Sequence, residues 1–319
     1  MTWTHRRDNL MPRQPARVSA RRSAFTMVEL MVAMAILAIL ASMILFAMSS
    51  ALETAKQDRT RTEIRKLHDL IMQRWESYEL RRVPSGIVTT AANRSAALMA
   101  KDRVDRIREL MRMELPDRLT DIVDPPVTLK FFPKVWNRYR ILVSQGGAKA
   151  AEGEYQSAEC LYMIISNMED GERNALEFFS AREIGDKDGD GLKEIWDAWG
   201  TPIEFLRWAP GHRSKIQPTD LDLKANLVTQ LPQDQFDVRG VYSTAAAPTF
   251  ALVPLIVSAG GDRKFDVLLD FDMPLRYTAN NNNPYVTVSN QRLGMILDVD
   301  QDNIDSSIDN ISNHGVLSE

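Results

Sequence analysis

Residues 25–50 form an almost wholly apolar run that contains a single charge, Glu29. Coiled as a helix, that run covers roughly 39 Å at 1.5 Å per residue, enough to span a bilayer. A secretory signal has a shorter apolar stretch, about 7 to 15 residues, and is cut on its far side. The run is therefore expected to be retained in the mature chain. A carboxylate near the start of a membrane helix is costly unless a cation or hydrogen-bond donor meets it, so Glu29 requires a partner. Ahead of the run, Arg6, Arg7, Arg13, Arg17, Arg21 and Arg22 stand against Asp8 alone. The remainder is thus more acidic than the formal −4 of the whole chain, and it carries no general basic footprint for nucleic acid. Charge bias does not set the orientation, because Lys56, Arg59, Arg61, Arg65 and Lys66 follow the run almost as densely.

The string Arg21, Arg22, Ser23, Ala24, Phe25, Thr26, Met27, Val28, Glu29, Leu30 resembles the processing site of type IV prepilins and type II secretion pseudopilins. In that family a basic leader ends in a small residue, usually Gly, and a membrane aspartyl peptidase cuts before a Phe. The new amine is methylated, and the glutamate five residues into the mature chain pairs with the terminal amine of a neighbouring subunit. The resemblance implies cleavage between Ala24 and Phe25, methylation at Phe25, and Glu29 as the assembly carboxylate. Ala24 stands where Gly is usual, and Ala is the next smallest side chain. The resemblance also implies a cytoplasmic leader, a single pass through the inner membrane and a periplasmic bulk. The implied partners are the prepilin peptidase, identical or related pilin subunits, an inner-membrane assembly platform and membrane lipid. A buried carboxylate paired with an ammonium group fixes register between helices, which suits an assembly role.

After residue 50 the pattern turns amphipathic, with Ile64, Leu67, Ile71, Trp75 and Tyr78 at spacings of three and four and no Pro or Gly before Pro84. One long helix is predicted over 25–82. A turn-rich connection follows at 83–92. A charged amphipathic helix at 97–114 ends at Pro116, its Arg, Asp and Glu residues read as a solvated face. Further helices are predicted at 158–168 and 175–179, behind an exposed loop at 146–153. Beyond Gly200, short apolar or alternating runs at 203–208, 236–242, 250–257 and 265–271 read as strands. The fold class is α+β, the pilin-like plan: a long N-terminal helix, transmembrane then amphipathic, packed on a C-terminal antiparallel sheet, with an additional helical insertion. The expected divisions are 1–24 leader, 25–50 transmembrane half, 51–82 amphipathic half, 83–182 mainly helical insertion, 183–297 sheet domain and 298–319 acidic tail.

Residues 186–197, DKDGDGLKEIWD, place Asp186, Asp188, Asp190, Glu194 and Asp197 at positions 1, 3, 5, 9 and 12 of a twelve-residue loop, with Gly191 at position 6. This is the spacing of a calcium loop: alternate acids turn toward a hard cation and the glycine permits the bend. Asp197 replaces the usual bidentate Glu, and Lys193 occupies a position that is normally apolar. Calcium is the expected cofactor, since clustered carboxylates repel unless a cation or solvent screens them. The continuation Asp197, Ala198, Trp199, Gly200, Thr201, Pro202 resembles a motif of the major type II secretion pseudopilin, whose C-terminal domain binds calcium. Ser258, Ala259, Gly260, Gly261 and Asp262 resemble a later turn of the same family. A weaker alternate-acid cluster, Asp298, Asp300, Asp302, Asp305 and Asp309, reads equally well as a solvated tail.

His5, His68, His212 and His314 are scattered along the sequence without zinc-helix spacing, and there is no nucleophile elbow, phosphate loop or dinucleotide fingerprint. No enzymatic activity is expected. Cys160, the sole cysteine, lies in an apolar run and reads as a core residue. The expected function is a structural subunit of a pseudopilus or related filament. The alternative is a membrane-anchored periplasmic calcium-binding protein that never polymerises.

Overall fold

The computed structural model describes residues 26–84, 95–146, 154–171, 173–245, 247–269, 283–285, 287, 291–297 and 306–318. Ala24 and Phe25 lie outside the described residues, as do Asp298, Asp300, Asp302 and Asp305. The chain divides into two compact units, Met1–Ala51 and Leu52–Glu319. Helix α1, Met27–Leu80, contributes to both, uninterrupted by any Pro or Gly. In the first unit its large apolar side chains, Met27 to Met48, are all exposed.

In the second unit, α1 turns a buried stripe inward: Ile64, Leu67, Leu70, Ile71, Trp75 and Tyr78. The elements that pack in this unit are α2 (Ala96–Glu114), α3 (Leu119–Val123), α4 (Lys134–Gln145), α5 (Gln156–Ser166), α6 (Asp220–Lys224) and α7 (Asn313–Val316). The strands are short: β1 (Glu169–Asp170), β2 (Arg173–Asn174), β3 (Ile184–Gly185), β4 (Glu194–Ile195), β5 (Glu204–Leu206), β6 (Leu255–Ser258) and β7 (Ile311–Ser312). β5, β6 and β7 make an antiparallel sheet with β6 in the centre, in register Phe205↔Ile256 and Ser258↔Ile311. All four residues of β6 are buried, so this strand is covered on both faces. β3 and β4 form a separate hairpin, Ile184↔Ile195 and Gly185↔Glu194, and α5 packs against both β4 and β5. The α+β plan expected from the sequence is therefore present, with the amphipathic part of the long helix in the core.

Three expectations need correction. Residues 236–242 form turns instead of a strand, because the Asp237 carboxylate accepts the backbone N–H groups of Val241 and Tyr242, at 2.8 and 2.9 Å, that a ladder would use. The polar face of α2 is not solvated: Arg106, Arg108, Glu109, Arg112 and Glu114 are buried. Arg106 pairs with Asp102 one turn away at 2.9 Å, but Arg108, Glu114 and Glu109 find counterparts that helical periodicity cannot reveal. Arg108 meets Asp234 at 2.9 Å, Arg81 meets Glu114 at 2.5 Å, and Glu109 accepts the backbone N–H groups of Val127, Thr128 and Leu129. Finally, the stretch read as an acidic tail supplies β7 and α7, tying the end of the chain into the sheet. Of the run at 265–271, the described part holds only the isolated bridge Val267↔Ile296.

Three histidines that look scattered in sequence gather around α7. The His212 and His314 rings meet edge to face at 4.9 Å, and His68 Nδ1 lies 3.0 Å from the Asn313 amide. Asn313 also donates to the Pro254 carbonyl at 2.8 Å and accepts the Ile256 N–H at 2.9 Å, extending the ladder beyond β7. The Pro254 carbonyl faces His314 Nε2 at 3.3 Å, which assigns the proton to that nitrogen and leaves Nδ1 to accept from Ser214. Burial, then the neighbouring His212, lowers the His314 pKa from 6.5 to about 3.

Two outcomes follow for the folded unit. Trp75 is buried against Phe236 in an edge-on contact at 5.3 Å, so Trp75→Ala should cost ~3–5 kcal/mol in chemical denaturation. Between pH 6.5 and about 3 the unfolded chain binds a proton that folded His314 refuses, so stability contributed by this group is complete above 6.5 and is lost as pH falls. His314→Gln should remove up to ~1.4 kcal/mol per pH unit of that acid sensitivity, seen as a shallower fall of the urea midpoint from pH 6.5 to 4.

Candidate functional site

At the amino terminus, Thr26 and Glu29 close a capping box on α1. The Thr26 N–H and hydroxyl donate to Glu29 Oε2 at 2.9 and 3.0 Å, and the Glu29 N–H donates to Thr26 Oγ1 at 3.2 Å. The Glu29 carboxylate is thus met by donors at the helix start. By length and composition, this helix contains a stretch apolar enough to cross a membrane, and none of that stretch is buried.

The acidic loop spans the turn between β3 and β4. Its bend follows from glycines in the left-handed region, Gly189 at φ 76° and Gly191 at φ 96°, and from Asp186, which accepts both of their N–H groups at 2.7 and 3.0 Å. Asp190 Oδ1 accepts the Leu192 N–H at 2.7 Å, and Glu194 Oε2 accepts the Lys187 N–H at 3.0 Å and the Trp196 indole N–H at 3.3 Å. Ligand atoms of Asp186, Asp188 and Asp190 lie within 4.8 Å of one another. Lys187 does not neutralise them: its ammonium donates to the Gly200 carbonyl at 2.9 Å.

Asp197 is not brought into this group. Its Oδ1 accepts the N–H groups of Trp199 and Thr201, both at 2.9 Å, and its Oδ2 accepts the Ser258 hydroxyl at 2.6 Å. The two glycine-bearing motifs singled out in the sequence therefore meet through one carboxylate. The turn also grips α1, since the Trp199 indole donates to Glu53 at 2.9 Å and the Ala198 N–H to Thr60 Oγ1 at 3.1 Å. Gly260, at φ 68°, sits where a Cβ would strike the Asp309 carbonyl, so no other residue fits.

A residue from another element does approach the loop acids. Glu159, in the first turn of α5, is fully buried, and its ligand atoms fall within 4.8 Å of those of Asp188 and Glu194. Both of its carboxylate oxygens lack a hydrogen-bond partner, as do Asp190 Oδ2 and Glu194 Oε1. Burial, reinforced by Asp190, pushes the Glu159 carboxyl up to about 9, and burial raises Glu194 to about 7. Both carboxyls therefore favour their protonated forms unless a positive charge meets them. The sequence signal for Glu159 is a lone acid opening the apolar run Cys160, Leu161, Tyr162, Met163, Ile164, Ile165. Within the weaker cluster, Asp309 is the described member, and it approaches Asp262 and Asp266 to within 4.8 Å.

Removing the Asp197 carboxylate should leave two backbone N–H groups and the Ser258 hydroxyl unpaired at a buried position. Asp197→Ala is therefore expected to destabilise the folded unit by about 2 kcal/mol or more in urea unfolding.

Among known proteins, the family model described as the prokaryotic N-terminal methylation motif matches residues 19–45. No curated protein and no solved structure matches the chain. The matched stretch contains Ala24, Phe25 and Glu29, and a motif of this kind implies processing by a prepilin peptidase.

Proposed function

We propose that this chain is a structural subunit of a type II secretion pseudopilus or a related type IV pilus-like filament. The peptidase removes residues 1–24, the Phe25 amine is methylated, and the apolar helix passes from the inner membrane into the filament. The observation that carries this reading is the methylation motif over 19–45, which includes both the cut position and the acid five residues beyond it. The exposed apolar side chains of Met27 to Met48 support it, because a surface of that kind requires lipid or neighbouring helices to cover it. In the filament, the Glu29 carboxylate exchanges its capping-box donors for the methylated amine of a neighbouring subunit. A charge pair formed in an apolar setting tolerates little displacement, which gives the helices one axial register. Outside the membrane, the acidic loop holds calcium and stabilises the periplasmic unit by binding its folded state. The motifs around Trp199 and Gly260 favour the secretion system over an adhesive pilus.

The test is the amino-terminal sequence and intact mass of the protein isolated from its native membrane. A start at methylated Phe25 is expected; an intact Met1, or a cut after the apolar run, overturns the reading. With processing established, Glu29→Val should leave the subunit in the membrane and abolish its recovery in sheared filaments. Normal assembly of that variant would favour a register set by packing alone.

A further inference from the structure

Four buried carboxylate oxygens have no donor: both of Glu159, Oδ2 of Asp190 and Oε1 of Glu194. They come from α5 and from the β3–β4 hairpin, Asp190 in its loop and Glu194 at the start of β4, and Asp188 lies within 4.8 Å of both Glu159 and Glu194 and, separately, of both Asp186 and Asp190. Ionised, buried and unpaired oxygens are among the costliest arrangements in a protein interior, so this cluster either keeps protons or takes up a cation that lets its members ionise together.

A calcium loop ordinarily closes on a bidentate carboxylate at its twelfth position. Here that residue, Asp197, has its oxygens taken by Trp199, Thr201 and Ser258. Glu159 of α5 offers two oxygens without a hydrogen-bond partner.

We propose that Glu159 supplies the closing ligand of the cation site in place of Asp197, so that a bound calcium ion bridges α5 to the β3–β4 loop. This rests on the reading of residues 186–197 as a cation loop. The ligand set is entirely carboxylate oxygen, with no nitrogen or sulfur, which selects a hard cation. The spread of the oxygens over two elements suits the larger, more adaptable shell of calcium over the tight octahedron of magnesium. The consequence is structural: the ion joins the helical segment to the hairpin that leads into the Trp199 turn, and thereby to α1 at Glu53 and Thr60.

The experiment uses the full-length protein in detergent, with calcium titrated by calorimetry and by thermal melts against chelator. Terbium serves as a second probe, since the Trp196 indole donates to Glu194 at 3.3 Å and lies close enough to sensitise its emission. The wild type is expected to melt higher in calcium than in magnesium or chelator. Glu159→Gln should bind calcium and terbium at least tenfold more weakly and lose the calcium-dependent shift, as should Asp188→Asn, while Asp197→Ala should retain the shift from a lower starting temperature. Glu159→Gln melting at or above the wild type in chelator establishes that this variant folds, because the amide relieves the repulsion without the ion.

If the wild type shows neither binding nor a calcium shift, the reading of the loop fails and the role of Glu159 with it. If the wild type binds but Glu159→Gln binds within twofold of it, the loop reading stands and Glu159 is only a buried acid that keeps its proton. Loss of the shift in Asp197→Ala alone would restore the twelfth position to Asp197 and overturn the proposal.

Discussion

The apolar face of α1 between Ile64 and Tyr78 is the surface on which the folded unit is organised. Helical spacing puts Ile64, Leu67, Ile71, Trp75 and Tyr78 on one side, and each is almost completely buried. The two ends of that stripe are fixed by different chemistry. Near its start, the Trp199 turn attaches to Glu53 and Thr60; at its far end, the Tyr78 hydroxyl donates to Glu114 of α2 at 2.8 Å. This part of the helix is thereby held by tertiary contacts from Glu53 to Tyr78.

Around that face, the unit buries an unusual amount of charge, and it does so in two distinct ways. On the α2 side the charges are matched: Arg207 donates to the Leu115 carbonyl at 2.7 Å and to Asp121 at 2.9 Å, and Arg108 is paired with Asp234. Pairs of this kind add little net stability, but losing one partner strands the other, so they penalise misplacement of α2 and α3 against Arg207, just after β5, and against Asp234. On the α5 side the charges are unmatched. Glu159, Asp188, Asp190 and Glu194 are all acids, and Lys187 of the loop donates to Gly200 instead. The contrast between these regions, in the same interior, sets the first apart as a structural network and makes the second the candidate site.

The amino-terminal segment follows a different logic. Its apolar side chains are exposed where the second unit buries its own, and its one acid is occupied by local donors at the helix start. Such a segment has its energetic partner outside the polypeptide, in lipid or in other copies of the same helix. The methylation motif over residues 19–45 belongs to this segment alone, and the rest of the chain is read from its own geometry.

The amino-acid sequence by itself determined what depends on local spacing. The uninterrupted long helix, its change from apolar to amphipathic, the identity of its buried stripe, the cleavage motif and the bend of the acidic loop all arise within a few residues of chain. Only the tertiary structure decided which carboxylates keep company. Asp197 occupies the expected loop position yet serves the Trp199 turn and Ser258, residues whose approach depends on β6 reaching the centre of the sheet. Glu159 lies 27 residues before Asp186 and joins the loop because α5 packs on β4 and β5. The buried face of α2, the gathering of His68, His212 and His314, and the strand at Ile311 have the same origin. Periodicity tells which side of an element is apolar, but the partner that makes a buried charge tolerable is supplied by long-range packing, and that information is held by no single segment.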